Sequence, residues 1–266
     1  MGQPRAEAGD ALARTVAFER WLSEATAERV DPTPHGRIFA SPSFPRRYDS
    51  NFLWVLDTGP GVTAAALDAE VEGSLGDLEH RQVMVNDDDA GARMAPGFAA
   101  LRYEASRLVV MRTLREPDLE PVVPVREVRF AEGRALFEES VRREPSVTDG
   151  ALLRSLVSWR AVLETRVGAR FFVGEIDGAQ AGGAELYVHE GVAMVEDVFT
   201  LEEFQGRGVA RAAVIAAVRA AREAGADLVF LHAAADGWPR QLYTKLGFDP
   251  IGHVWSFLRS PVPIVR

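Results

Sequence analysis

Between residues 131 and 258 the apolar positions fall into short blocks whose period changes several times. Spacings of three and four residues predict helices over 131–143 and 149–165. Dense runs of aromatic and β-branched residues predict strands over 171–176, 184–188 and 192–200. Asp177-Gly178 and His189-Glu190-Gly191 lie between them as hairpin turns. A glycine-bearing loop at 205–208 then opens a helix that runs to about Ala224, and Gly225 stands where helices end. A buried strand over 228–232, a short helix over 239–246 stopped by Gly247, and a last strand over 251–258 complete the order. Pro239 suits the first turn of that helix. A meander leading into a strand–helix–strand unit predicts an α/β fold with a mixed sheet covered by helices.

The first half repeats this rhythm faintly. A strand over 80–86, a closing helical segment at 98–103 and a strand over 108–113 follow in the same order. Phe98, Leu101 and Tyr103 align with Tyr243, Leu246 and Phe248 at a constant offset of 145 residues. Upstream, 52–56 falls near the third strand, and Thr58-Gly59-Pro60-Gly61-Val62 near the glycine loop. The pattern reads as an internal duplication; two units sharing only a generic hydrophobic rhythm would look much the same. The segment 115–124 carries three prolines with interleaved acids, which disfavours helix and sheet alike. It is read as a linker dividing the chain into domains 1–124 and 125–266, each large enough for its own core.

The composition, 47% hydrophobic and 26% charged over 266 residues, is that of an ordinary globular protein. No apolar run approaches the ~18 residues of a membrane span. The start Met1-Gly2-Gln3-Pro4-Arg5-Ala6 lacks both the apolar core of a secretory signal and the Ser or Thr of a myristoylation signal, so a cytoplasmic location is expected. There is no cysteine, which excludes disulfides, thiolate metal sites and thiol nucleophiles. His35, His80, His189, His232 and His253 are scattered without metal-ligand spacing, and no metal is expected. A net charge of −9 argues against nucleic acid as a partner. The charge is −7 over 1–124 and −2 over 125–266, so a polyanionic ligand belongs with the second half. The acids between 57 and 89 read as a solvated face, or alternatively as an attractor for a cation. Trp21, Trp54, Trp159, Trp238 and Trp255 are core candidates, with Trp238 open to a second reading at a pocket mouth.

The strongest chemical signal is Gln205-Gly206-Arg207-Gly208-Val209-Ala210 between a strand and a long helix. Glycines let successive backbone N–H groups converge, and a helix start adds roughly half a positive charge. Together they form a phosphate cradle that needs no lysine. Alone, the motif is also compatible with a tight turn. The helix behind it holds eight alanines between 210 and 224 and is polar only at Arg211, Arg219, Arg222 and Glu223, so burial is expected to fix the cradle.

This loop, taken with Leu242-Tyr243-Thr244-Lys245-Leu246-Gly247-Phe248, resembles the GNAT superfamily of acyl-CoA-dependent N-acyltransferases. The loop fits the pattern Q/R-x-x-G-x-G/A, the later segment fits the family's closing motif, and the likeness covers about 126–260. The first half is then expected to be a diverged second copy, as in tandem GNAT proteins. The fold implied is two GNAT-like units, each a mixed, mostly antiparallel sheet flanked by helices.

The resemblance implies that the pyrophosphate of acetyl-CoA lies on the amides from Gln205 to Ala210, through Gly206, Arg207, Gly208 and Val209. Arg207 and Arg211 either reach phosphate oxygens or stand as solvated helix-face arginines. The pantetheine arm is expected along 197–200, past Phe199, pairing with main-chain groups of Val198 and Thr200 where that strand splays from 228–232. Many members have Asn seven residues before the motif tyrosine. Here the position is Asp236, which accepts but does not donate when ionised.

Tyr243 is the implied general acid for the departing thiolate. A tyrosine near pKa 10 and a thiol near 8.5 make full transfer uphill by about 2 kcal/mol, which favours a hydrogen bond that strengthens in the transition state. An alkyl ammonium near pKa 10.4 is neutral about once in 2,500 molecules at pH 7, so a base is needed. Glu196 is the first candidate, on the same strand face as Val198 and Thr200 by alternation, with Asp197 opposite; an exposed strand acid is the competing reading. Glu185 and His189 are weaker alternatives. Without cysteine, direct attack of a primary amine in a ternary complex is the expected route. A longer acyl group, or a non-catalytic acyl-CoA sensor, are the alternative functions. In the first half Phe98 replaces the tyrosine and Pro60 removes an amide donor, so no second active site is expected. The acceptor is read as a small-molecule or peptide amine, with no nucleic acid and no membrane as partner, in a monomer or homodimer.

Overall fold

The computed structural model describes residues 3–235 and 238–261. The chain opens with α1 (Gln3–Thr26), β1 (Arg29–Pro32), β2 (Gly36–Ala40), β3 (Phe52–Val55), α2 (Ala64–Leu75), β4 (Arg81–Val85), α3 (Asp88–Ala100) and β5 (Glu104–Thr113). It continues with β6 (Val125–Val128), α4 (Phe130–Arg142), α5 (Gly150–Val167), β7 (Arg170–Ile176), β8 (Ala179–His189), β9 (Val192–Thr200), α6 (Val209–Glu223), β10 (Leu228–Ala234), α7 (Trp238–Lys245) and β11 (Asp249–Arg259). No described helix is long and apolar enough to cross a membrane.

Two compact units result, and they interleave in sequence. One holds 1–18 and 110–251; the other holds 19–109 and 252–266. The sequence places a simple division at 124, whereas these units divide inside α1, β5 and β11. The reason lies in packing. The start of α1 is tied to the first unit by Arg14, which donates to both oxygens of Asp227, and by Phe18, set edge-on to Phe230 at 5.5 Å. The end of β11 pairs antiparallel with β4, from Trp255–Val85 to Arg259–Arg81, in the second unit. Val110–Thr113 of β5 belongs to the first unit. The closing strands of the two repeats are therefore exchanged.

In the first unit β6, β7, β8 and β9 form an antiparallel meander, and β9 runs parallel to β10. In the second, β1, β2 and β3 form the meander and β3 runs parallel to β4. Each unit thus has the same strand logic, with α6 or α2 as its crossover helix. The offset of 145 reappears in the geometry. α6 is capped by Gly208 and α2 by Thr63. The amide of Phe248 donates to the Tyr243 carbonyl at 3.0 Å, and that of Tyr103 to the Phe98 carbonyl at 3.0 Å. Gly247 and Arg102 both take left-handed φ values, 83° and 63°. The closing helix of the first repeat lies earlier than the pattern 98–103 suggests, because Asp87 caps α3 through the Ala90 amide and Arg102 already turns the chain.

The segment 115–124 is free of helix and strand, as its prolines dictate, yet it lies within the first unit. It runs along α6: Arg219 donates to Glu120, and the Glu175 amide to the Pro124 carbonyl at 3.0 Å. α6 buries Ala212, Ala213, Ala217 and Ala221 completely.

Candidate active site

β9 and β10 pair only from Val192–Leu228 to Met194–Phe230. Beyond those residues β9 continues to Thr200 and β10 to Ala234, so the two strands part where the sequence reading expects a splay. A pocket of about 560 Å³ opens there. Val198, Phe199 and Thr200 of β9 line it, with Gln205, Gly206, Arg207 and Gly208 of the loop and Val209, Ala210 and Arg211 of α6. Pro239, Leu242 and Tyr243 of α7 and Val122 of the proline-rich segment complete the lining. The volume suits an extended small molecule.

Gly206 and Gly208 hold left-handed φ values of 74° and 86°, which turn the loop into the start of α6. A Cβ on Gly208 would also meet Val122 Cγ2 at 2.4 Å. Gly174 and Gly182 bring α6 onto the sheet, since a Cβ on either would meet Val209 Cγ1 at 2.9 and 3.0 Å. The cap residue Gly208 offers no side chain to the helix. Among the described residues, the amides from Gly208 to Arg211 make no backbone hydrogen bond of ordinary geometry. Such amides, at the positive end of a helix of 15 residues, are able to hold an anion. Arg211 lines the same pocket, and its Nε is buried without a hydrogen-bond partner. Arg207 instead donates to Asp177 at 3.1 Å in a solvated pair.

Tyr243 is 7% exposed and reaches the same pocket. Burial, reinforced by the charge of Glu196, pushes its phenol up to about 12. Glu196 is half-buried on β9. Its face differs from the one alternation assigns. The β8–β9 register pairs Glu185 with Glu196, then Gly183 with Phe199 and Gly182 with Thr200, so β9 carries an extra residue. Asp197 there adopts a left-handed φ of 49°. Directly paired residues share a face, and Glu185 and Gly183 are two apart, so Glu196 lies with Phe199 and opposite Thr200. The bulge cancels the simple alternation.

Glu185, the weaker candidate base, is 2% exposed and bound on all sides. Arg160 Nε lies 2.6 Å from it, and the Tyr187 hydroxyl donates to it. Burial raises its proton affinity while Arg160 opposes. His189 sits at the β8–β9 turn beside Glu190. Asp236 lies outside the described residues. Arg160 is missed by motif reasoning, although a signal exists. It shares one helical stripe with Leu153, Val157 and Leu163, all buried, and a charge on such a stripe demands a buried partner.

The second unit offers a contrast. Thr63 caps α2 by accepting from the Ala66 amide at 3.2 Å, and Arg93 donates to the carbonyls of Thr58, Gly59 and Val62. β3 and β4 stay paired to their ends, Val55 with Val85. Phe98, fully buried and stacked on Phe257, stands where the first unit has Tyr243. The splay and a hydroxyl at the Tyr243 position are absent from its described residues, and Thr63 caps the helix start that Gly208 leaves uncapped in the first unit.

Residues 134–248 match the model of the Acetyltransferase (GNAT) family. Over that segment the chain is similar to GNAT acetyltransferases. No curated protein matches the chain. A functionally unknown conserved protein from Staphylococcus epidermidis superposes with a TM-score of 0.67 at 13% identity, over 89% of this chain and 95% of that one. A GCN5-related N-acetyltransferase from Kribbella flavida gives 0.58 at 16%, over 99% and 97%. A tandem GNAT protein from the clavulanic acid biosynthesis pathway gives 0.53 at 16%, over 81% and 74%. At these identities the likeness is one of fold.

Proposed function

We propose that the protein moves an acetyl group from acetyl-CoA to a primary amine of a small molecule or peptide. One observation carries this reading. The open amides from Gly208 to Arg211 lie on residues that line the same pocket as Tyr243, together with the splayed edge of β9. The diphosphate of the thioester carrier suits the amides and Arg211. Main-chain groups of Val198 and Thr200 suit its pantetheine amides.

The amine nitrogen attacks the thioester carbonyl, a C–N bond forms, and the C–S bond breaks as the tetrahedral intermediate collapses. The nitrogen's proton leaves to Glu196, directly or through water, and the sulfur gains a hydrogen bond from Tyr243. With the phenol near 12 and a thiol near 8.5, complete proton transfer is uphill by about 5 kcal/mol. Tyr243 therefore acts by a hydrogen bond that tightens as sulfur gains charge, and solvent supplies the final proton.

The test is release of free thiol from acetyl-CoA across a panel of amines, beside calorimetry with CoA. Heat with CoA and thiol release dependent on both an amine and Tyr243 support the reading. Heat without thiol release from any amine indicates a sensor, and no heat removes the reading altogether.

A further inference from the structure

The edge of β9 that lines the pocket follows a bulge at Asp197, and the bulge has a cost. Asp197 is a residue with a Cβ in the left-handed region, at φ 49°. Glu185 and Glu196 face each other directly across the β8–β9 pair, a like-charge arrangement that disfavours this register. Something must hold the bulge against both.

The structure assigns that task to Arg160, as a positioning residue of the acyl-CoA site. Arg160 is 8% exposed and stands on α5, which packs against α4. One nitrogen pairs with Asp197 and Nε lies 2.6 Å from Glu185 Oε1, so a single cation spans the bulged residue and the partner of Glu196. The guanidinium stacks over the Phe137 ring at 5.0 Å, and Phe137 meets Phe199 edge-on at 5.6 Å. Phe199 lies between Val198 and Thr200, so Arg160 and Phe137 together fix the backbone on both sides of the edge that lines the pocket. The Tyr187 hydroxyl donates to Glu185 and completes the arrangement. Arg160 touches no pocket atom itself; it acts through the main chain of β9.

This inference rests on the acyl-CoA reading of the pocket, and the variants separate the two. Asp197→Gly keeps the left-handed conformation without strain, whereas Asp197→Ala loses the carboxylate and keeps the strain. Calorimetry with CoA is expected to show Arg160→Met weakened at least tenfold, Asp197→Ala weakened similarly, and Asp197→Gly binding about tenfold tighter than Asp197→Ala. The double variant Arg160→Met/Asp197→Gly is expected to regain most of the affinity lost in Arg160→Met. A residue needed only for stability would show no such rescue. In turnover, the loss is expected in KM for acetyl-CoA and not in KM for the amine. Should Arg160→Met not fold, the glycine–alanine comparison at Asp197 decides alone. Wild-type heat with Arg160→Met unchanged, or equal affinities for the two Asp197 variants, overturns the role of Arg160. Absence of heat in the wild type overturns the acyl-CoA reading first.

Discussion

Tyr243 is poised to stay neutral. Its phenol is held near 12 by burial and by Glu196, two units above its ordinary value, so it remains a donor through the whole working range. The rate is therefore expected to climb with pH as the amine sheds its proton, with no descending limb below about pH 11; a fall centred near 10 in a thiol-release profile contradicts the assignment. Tyr243→Phe is expected to lower kcat by about 100-fold while CoA affinity moves less than about threefold, read by turnover and calorimetry. Glu196→Gln is expected to cost most at neutral pH and to recover as the medium deprotonates the amine. The glycine turn at 205–210 and the short helix that carries Tyr243 were legible in the sequence because each motif is local. Arg160 was not, since its partners Glu185 and Asp197 come from other elements and only folding brings them together.

At the scale of elements, α2 and α6 are the same crossover helix with opposite beginnings. Thr63 satisfies the start of α2, so Thr63→Ala is expected to cost about 1 kcal/mol in urea unfolding and to leave CoA binding untouched. Gly208→Ala, in contrast, forces a Cβ at φ 86° against Val122 and is expected to weaken CoA binding more than it lowers the unfolding midpoint. Strand and helix order over 131–258 followed from apolar period. The pattern shortened β8, because Gly182 and Gly183 carry no side chain to mark a strand that backbone pairing nevertheless extends to Ala179. It also missed the bulge in β9, since one inserted residue inverts a face without changing composition.

For the whole molecule, acid is the informative stress. His80 is 1% exposed and His232 is half-buried on β10, and desolvation of the ring lowers both to about 4. The folded value lies below the unfolded 6.5, so this stabilisation is full above pH 6.5 and is lost as pH falls toward 4. Each histidine is expected to contribute about 2–3 kcal/mol of lost stability between pH 7 and 4.5, and His80→Gln to flatten that slope when urea unfolding is compared at the two pH values. The division into domains was the least legible feature, since proline content marks irregular backbone and says nothing about which strand completes which sheet. That exchange of closing strands has a consequence during synthesis. β4 is made from residues 81–85, but its neighbour 255–259 is made only after the whole of 110–251. Until then β4 presents bare hydrogen-bonding groups to whatever passes, so the first copy cannot mature before the second is translated, and neither can be discarded without unmaking the other.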